Sequence, residues 1–116
     1  MTKADDLEAR IAATATAPRV TPNDLKANIA SVHYFTAGDA IVLCGDSDHA
    51  PPSTDLLTIC ILVCKNGFTI VGKSACASPE NFNAELGRKI AYDDATNQLW
   101  PLMGYALRDR LAAGDL

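Results

Sequence analysis

Asn81, Phe82, Arg88 and Lys89 are the side chains whose types and spacing best suit ligand chemistry. On a helix, Asn81 and Arg88 would share one stripe, and Phe82 and Lys89 the adjacent one. An amide can read a ring edge, an aromatic can stack on a base, and cations can pair with phosphate oxygens. That combination suits a small phosphate-bearing nucleotide. The plainer reading of the same residues puts Phe82 in the core and leaves Arg88 and Lys89 on a solvated face. The charge distribution permits the sharper one. The chain of 116 residues carries ten basic and fourteen acidic side chains, a formal net charge of −4. Residues 1–56 hold four of the basic and eight of the acidic groups, so the remainder is balanced. A local positive pocket can draw on some of Lys65, Lys73, Arg88, Lys89, Arg108 and Arg110. The acidic total (pI about 4.9) argues against binding duplex DNA or an anionic membrane, since both need a positive field.

Catalytic and metal signatures are weaker. The sequence has no Gly-x-Ser-x-Gly, no His-Glu-x-x-His and no phosphate loop, so no enzyme is expected. A hydrolase built on Asp93, Asp94 or His33 is the remote alternative. His33 stands in an apolar stretch and reads as a core or edge histidine. His49 follows Asp46 and Asp48 in a loop that offers oxygen and nitrogen ligands, but such loops are mostly solvated turns, and no metal is expected. Four cysteines, Cys44, Cys60, Cys64 and Cys76, lack any Cys-x-x-Cys pair. In a reducing cytosol they read as buried structural thiols. Trp100, beside Pro101, reads as a packing anchor sooner than as a stacking platform.

The elements that must position these groups follow from pattern. Residues 3–15 place Ala4, Leu7 and Ile11 at helical spacing with acids in the first turn. A linker through Pro18 leads to Thr21-Pro22, a cap with proline at the first helical position, and a helix carrying Leu25 and Ile29 that stops near Ser31. Strands are expected at Val32–Thr36 and Ala40–Cys44, and a loop over 45–55. Leu56–Lys65 and Phe68–Ala75 flank Asn66-Gly67, the dipeptide favoured in a two-residue type I′ hairpin. That turn would set Lys65 against Phe68, Val63 against Ile70, Leu62 against Val71 and Ile61 against Gly72. Leu57, Ile59, Ile61, Val63, Phe68 and Ile70 would then form the main core face. The reverse face, with Cys60, Leu62 and Val71, is partly apolar too, so the sheet needs cover on both sides, from helices or another subunit. Ser78-Pro79 should start a long helix stepping through Phe82, Leu86 and Ile90, with a kink or restart at Pro101 and a frayed Gly-Asp-Leu tail. The expected architecture is α+β: a small antiparallel sheet centred on the hairpin 57–75, N-terminal helices and a long C-terminal helix. One domain spans 1–116, with 1–20 as an extension. No apolar run approaches the ~20 residues of a membrane helix, and no signal peptide is evident.

Two segments carry a family resemblance. The stretch from Leu57 to Ala91 contains Lys65-Asn-Gly-Phe-Thr and Pro79-Glu-Asn-Phe, and Asn97 to Arg108 contains Trp100-Pro-Leu-Met-Gly-Tyr. Residues 21–37 form a looser third piece. Together they resemble a small-protein family of tailed bacteriophages and prophages whose functionally known members are anti-Thoeris sponges. The resemblance implies a non-enzymatic protein in the host bacterial cytoplasm. It would sequester a cyclic ADP-ribose isomer made from NAD by a TIR-domain immune enzyme. Cyclic oligonucleotides of CBASS-type defence are a second ligand class taken up by some members. The resemblance also implies sites made between subunits of a dimer-based homo-oligomer, up to a hexamer, with no cofactor, no DNA and no membrane. Residue by residue it assigns ligand contact to Asn81 and Phe82 in Pro-Glu-Asn-Phe, Arg88 and Lys89 in Gly-Arg-Lys, and Arg108 after Gly-Tyr-x-Leu. Residues 57–113 are the family core. The first 20 residues match no pattern of the family, and Gln98 stands where relatives are often basic, a departure that bears on phosphate binding. The alternative is a phage protein-interaction module that shares the fold and binds no nucleotide.

Overall fold

The computed structural model describes residues 3–15, 17–45 and 49–115. Within them the chain forms α1 (Lys3–Thr14), α2 (Pro22–Ala27), β1 (Ile29–Thr36), α3 (Ala37–Leu43), β2 (Leu57–Cys64), β3 (Thr69–Ala75) and α4 (Ala84–Ala113). Short 3-10 helices occupy Pro52–Leu56 and Pro79–Asn81. The strands make one antiparallel sheet in the order β1-β2-β3, and α4 packs on it. This is the expected α+β arrangement, with hairpin strand β2 at the centre.

Caps decide where the helices begin, and they correct three expectations. Asp24 N–H donates to Thr21 Oγ1 (3.1 Å) and Thr21 N–H donates to Asp24 Oδ2 (2.9 Å), a reciprocal capping box that starts α2 at Pro22. The helix ends at Ala27, short of Ser31, because Ile29 already pairs with Cys64. Thr36 repeats the device: its Oγ1 accepts from Asp39 N–H (3.1 Å), and α3 stands where a second strand was expected. Asn83, not Ser78, caps α4 by accepting from Leu86 N–H (3.0 Å). Ser78-Pro79 starts only a 3-10 turn that ends at Asn81, and Phe82 follows in extended backbone; both lie ahead of α4, so neither Asn81 with Arg88 nor Phe82 with Lys89 shares a helix stripe. α4 runs unbroken across Pro101, with no restart. Pro101 is exposed, so the Asn97 carbonyl that loses its partner lies on the solvent side. At the far end Gly114 takes a left-handed φ of 77°, and Asp115 N–H reaches Arg110 O (2.9 Å). The tail closes the helix there instead of fraying; Leu116 lies outside the described residues.

The hairpin is where expected, but its register differs by one. A type I′ turn needs positive φ at both central residues, and only Gly67 has it (φ 89°). Asn66 keeps a negative φ while its Oδ1 accepts from Phe68 N–H (2.9 Å). Lys65, Asn66 and Gly67 thus form a three-residue loop closed by Cys64 N–H to Phe68 O (2.8 Å). Leu62 consequently faces Ile70, Ile61 faces Val71 and Cys60 faces Gly72.

On β2 the covered face is the opposite of the expected one; on β3, Ile70 is buried as expected, while Phe68, expected beside it, is exposed. Along β2 the buried residues are Thr58, Cys60, Leu62 and Cys64, which join Ile70 of β3 under Ala91, Ala95 and Leu99 of α4. Small residues set this choice. A Cβ on Gly72 would run into Ala91 O and stand 2.6 Å from Ala95 N, so α4 can lie this close to β3 only over a glycine. Cys60 and Cys64 are buried thiols as expected; Cys44 is exposed and Cys76 half-buried, so the reading fails for Cys44. On the other face, Phe35 and Val71 are exposed and Ile59, Ile61 and Val63 only half-buried. The chain measures 56 × 32 × 17 Å, with a radius of gyration of 17.9 Å. A compact chain of this length would have about 13 Å. Among the described residues, no helix is long and apolar enough to cross a membrane.

Candidate functional site

Where the end of β1 meets the start of α4, the fold leaves a cleft of about 170 Å³. Tyr34, Phe35 and Thr36 come from β1, Asp39 from α3 and Thr58 from β2; Phe82, Ala84 and Arg88 close the other side. Pairing explains the β-strand contribution, since Tyr34 lies opposite Cys60 and Thr36 opposite Thr58. Gly87 explains how Arg88 gets there. A Cβ on Gly87 would sit 2.8 Å from Thr58 Oγ1 and 3.9 Å from the Phe82 ring, so a glycine lets the first turn of α4 press onto β2. Phe82 is half-buried and also walls a second cleft of about 160 Å³, lined by Leu56, Cys76, Asn81, Leu86 and Ile90 among others.

This cleft has, among the described residues, one cation, Arg88, and one carboxylate, Asp39. Among the described residues no carboxylate forms an ion pair with Arg88. Burial first, then neighbouring Cys60 and Tyr92, push the Tyr34 hydroxyl above its usual range, with Arg88 pulling the other way. Burial also raises the Cys60 thiol, against a hydrogen bond with Tyr34. Both groups therefore stay protonated at neutral pH, and Cys60 is no thiolate nucleophile. Such a cleft can stack a ring against aromatic side chains, hold a phosphate at Arg88, and offer Asp39, Thr36 and Thr58 oxygens to sugar hydroxyls.

The structure gathers some of the five sequence-derived contacts and separates others. Phe82 and Arg88 line one cleft. Asn81 lines the cleft on the other side of Phe82. Lys89 is turned to solvent, where Nζ lies 3.6 Å from Asp93 Oδ2, so the solvated-face reading holds for it. Arg108 lies about 30 Å beyond Arg88 along α4 at 1.5 Å per residue, out of reach within one chain. Tyr34, Phe35, Thr36, Asp39 and Thr58 were not anticipated. Thr58 was the available signal: a hydroxyl in phase with Cys60 and Leu62 marks a polar opening in an apolar row.

The remaining candidates resolve separately. Asp94 Oδ2 accepts from Lys73 N–H (2.9 Å) at the outer edge of β3, and His33 sits on β1 with Nε2 3.0 Å from Ser31 Oγ. They flank opposite edges of the sheet and form no common site. Gln98 Nε2 donates to Val71 O (2.8 Å), so this departure from a basic residue binds the sheet edge. Trp100 packs against the core and borders a cleft with Leu7, Ile11, Val20 and Pro22, as an anchor would. Arg19 reaches Glu8 across that cleft at 2.6 Å. Asp46 and Asp48 lie outside the described residues; among the described residues no three His, Cys, Asp or Glu side chains cluster as a metal site would require.

Fold and site define a small two-layer α+β protein with an aromatic, arginine-bordered cleft at one end of its sheet. A family model matches residues 20–111, and the chain belongs to that family, the phage protein (N4 Gp49/phage Sf6 gene 66) family. The match begins after α1 and includes every cleft residue as well as Arg108. Comparison with curated proteins and with solved structures gave no match. The expected kinship with phage small proteins therefore holds at the level of the family.

Proposed function

We propose that this protein is a phage anti-defence protein that binds and holds a nucleotide immune messenger without cleaving it. The ligand class is a cyclic ADP-ribose isomer, with cyclic oligonucleotides as a second class. The observation that carries the reading is the meeting of Phe82, Tyr34 and Arg88 in one cleft, an aromatic and cationic pair of functions that base and phosphate require. At about 170 Å³ the cleft is smaller than the roughly 300 Å³ at which small-molecule sites begin. It accommodates part of a nucleotide, and a neighbouring copy in a homo-oligomer supplies the rest, including cations such as Arg108 that one chain cannot bring to it.

The test is capture and release. Pure protein is incubated with TIR-enzyme product and with a panel of cyclic nucleotides, filtered, heat-denatured, and the released material is weighed by mass spectrometry. Recovery of an unchanged cyclic ADP-ribose isomer is expected. A cleaved product would make the protein a hydrolase, and an empty eluate across the panel would overturn the reading. The open row of Phe35, Ile59, Ile61, Val63 and Val71 favours a second reading, a protein-interaction module, and an empty eluate would move the assignment there.

A further inference from the structure

The two edges of the sheet are finished differently. At the outer edge of β3, α4 satisfies the backbone itself: Asp94 accepts from Lys73 N–H and Gln98 donates to Val71 O. Those are the groups that an added strand would use, so this edge is blocked by the chain's own side chains. At the outer edge of β1 nothing equivalent occurs among the described residues. Alternation along the ladder fixes which groups are involved. Because Val71 and Lys73 point outward, their partners Ile61 and Ile59 bond toward β1, to His33 and Phe35. Val32 and Tyr34 therefore direct N–H and C=O away from β2, and no other group among the described residues takes them up.

Edge strands left open in folded proteins are usually defended by a lysine, a proline or an inward charge. β1 reads Ile-Ala-Ser-Val-His-Tyr-Phe-Thr, eight residues with no lysine, proline or carboxylate; its one irregularity is a bulge near Ile29. We propose that this edge pairs, antiparallel, with the same edge of a second copy, joining two three-stranded sheets into one of six strands. The uncharged sequence is what selects a second copy: self-pairing sets identical stretches against each other, and β1 brings no like charges face to face. A register centred on His33 lets Val32 of each copy exchange both backbone bonds with Tyr34 of the other. The apolar rows on the open faces then become continuous across the junction. Tyr34 also lines the cleft, so the second copy arrives beside it. The inference names the surface for the assembly proposed above and stands whether or not the cleft takes a nucleotide.

The test reads mass by light scattering after size exclusion, with circular dichroism as the check on folding. The wild-type chain of 12.3 kDa is expected at twice that mass or an even multiple of it. His33 is exposed, so His33→Lys should leave the fold intact, set two lysines opposite one another and halve the mass. His33→Glu should do the same, and mixing the two variants should restore the wild-type mass. Val71→Lys, on the same open face but beside the blocked edge, should keep the β1 pair. A monomeric wild type would overturn the proposal. So would a His33→Lys variant of unchanged mass, or a mixture of the two variants that stays at half mass.

Discussion

On one face of the sheet Cys60, Leu62 and Ile70 close under Ala91, Ala95 and Leu99; on the other, Ile59, Ile61 and Val71 meet no comparable layer among the described residues. The two rows alternate along the same strands, and the uncovered one is at least as hydrophobic. Hydrophobicity therefore did not decide which face α4 chose. Close approach decided it, because Gly72 and Gly87 stand on the covered side opposite alanines and Thr58, where a helix backbone can come near. The larger, β-branched row is left as the surface from which assembly can draw further burial, at about 25 cal/mol for each Å² removed from water.

The comparison breaks most readily at Gly72. Gly72→Ala places a carbon against the backbone of α4, and overpacking of that kind costs up to about 3 kcal/mol. A fall in Tm of about 10 °C or more is expected in a thermal melt; an unchanged melt would mean α4 does not bear on β3 as described. Leu62→Ala against Ile61→Ala is the paired test of the two faces. Leu62 is fully buried, so its truncation should cost about 2–5 kcal/mol. Ile61→Ala, on the half-buried face, should cost less than half as much by urea titration. Equal costs would erase the distinction.

Gly67→Val probes the register that assigns residues to each face. A β-branched residue at a φ of 89° should lose about 1–2 kcal/mol by the same titration, whereas a turn free to reorganise would lose nothing. The smallest effect concerns acid. The Thr21 backbone and then its hydroxyl hold the Asp24 carboxyl below its ordinary value. The stability this carries is present above the unfolded carboxylate pKa and is lost as pH falls through the lowered folded value. Asp24→Ala should therefore melt below wild type at neutral pH and converge with it in acid; a constant gap across pH would remove the capping carboxylate from the account.

How much of this was legible in the sequence depends on how local each cause is. Caps act within four residues, so Thr21 could be read, and Thr36 could have been by the same rule had the run Ile41-Val-Leu not suggested a strand. The Asn66-Gly67 turn was legible as a turn. Its length was not, because it depends on whether Asn66 takes positive φ or bonds to Phe68 N–H. That single residue shifted every opposed pair in the hairpin. Phe82 and Arg88 carried their chemistry in their types, whereas Tyr34, Asp39 and Thr58 joined them only through the pairing of β1 with β2, a contact no local window contains. Arg108 was assigned to the ligand by charge and motif, and neither measures the length of a helix.

The central claim is that the cleft between β1 and α4 holds a nucleotide. Calorimetric titration of a cyclic ADP-ribose isomer into the wild-type protein and into Arg88→Ala tests it most directly. A charged hydrogen bond is worth about 1.5–3 kcal/mol, so the variant should bind at least about tenfold more weakly at unchanged oligomer mass. Equal affinity in both proteins, or no heat with either, would contradict it.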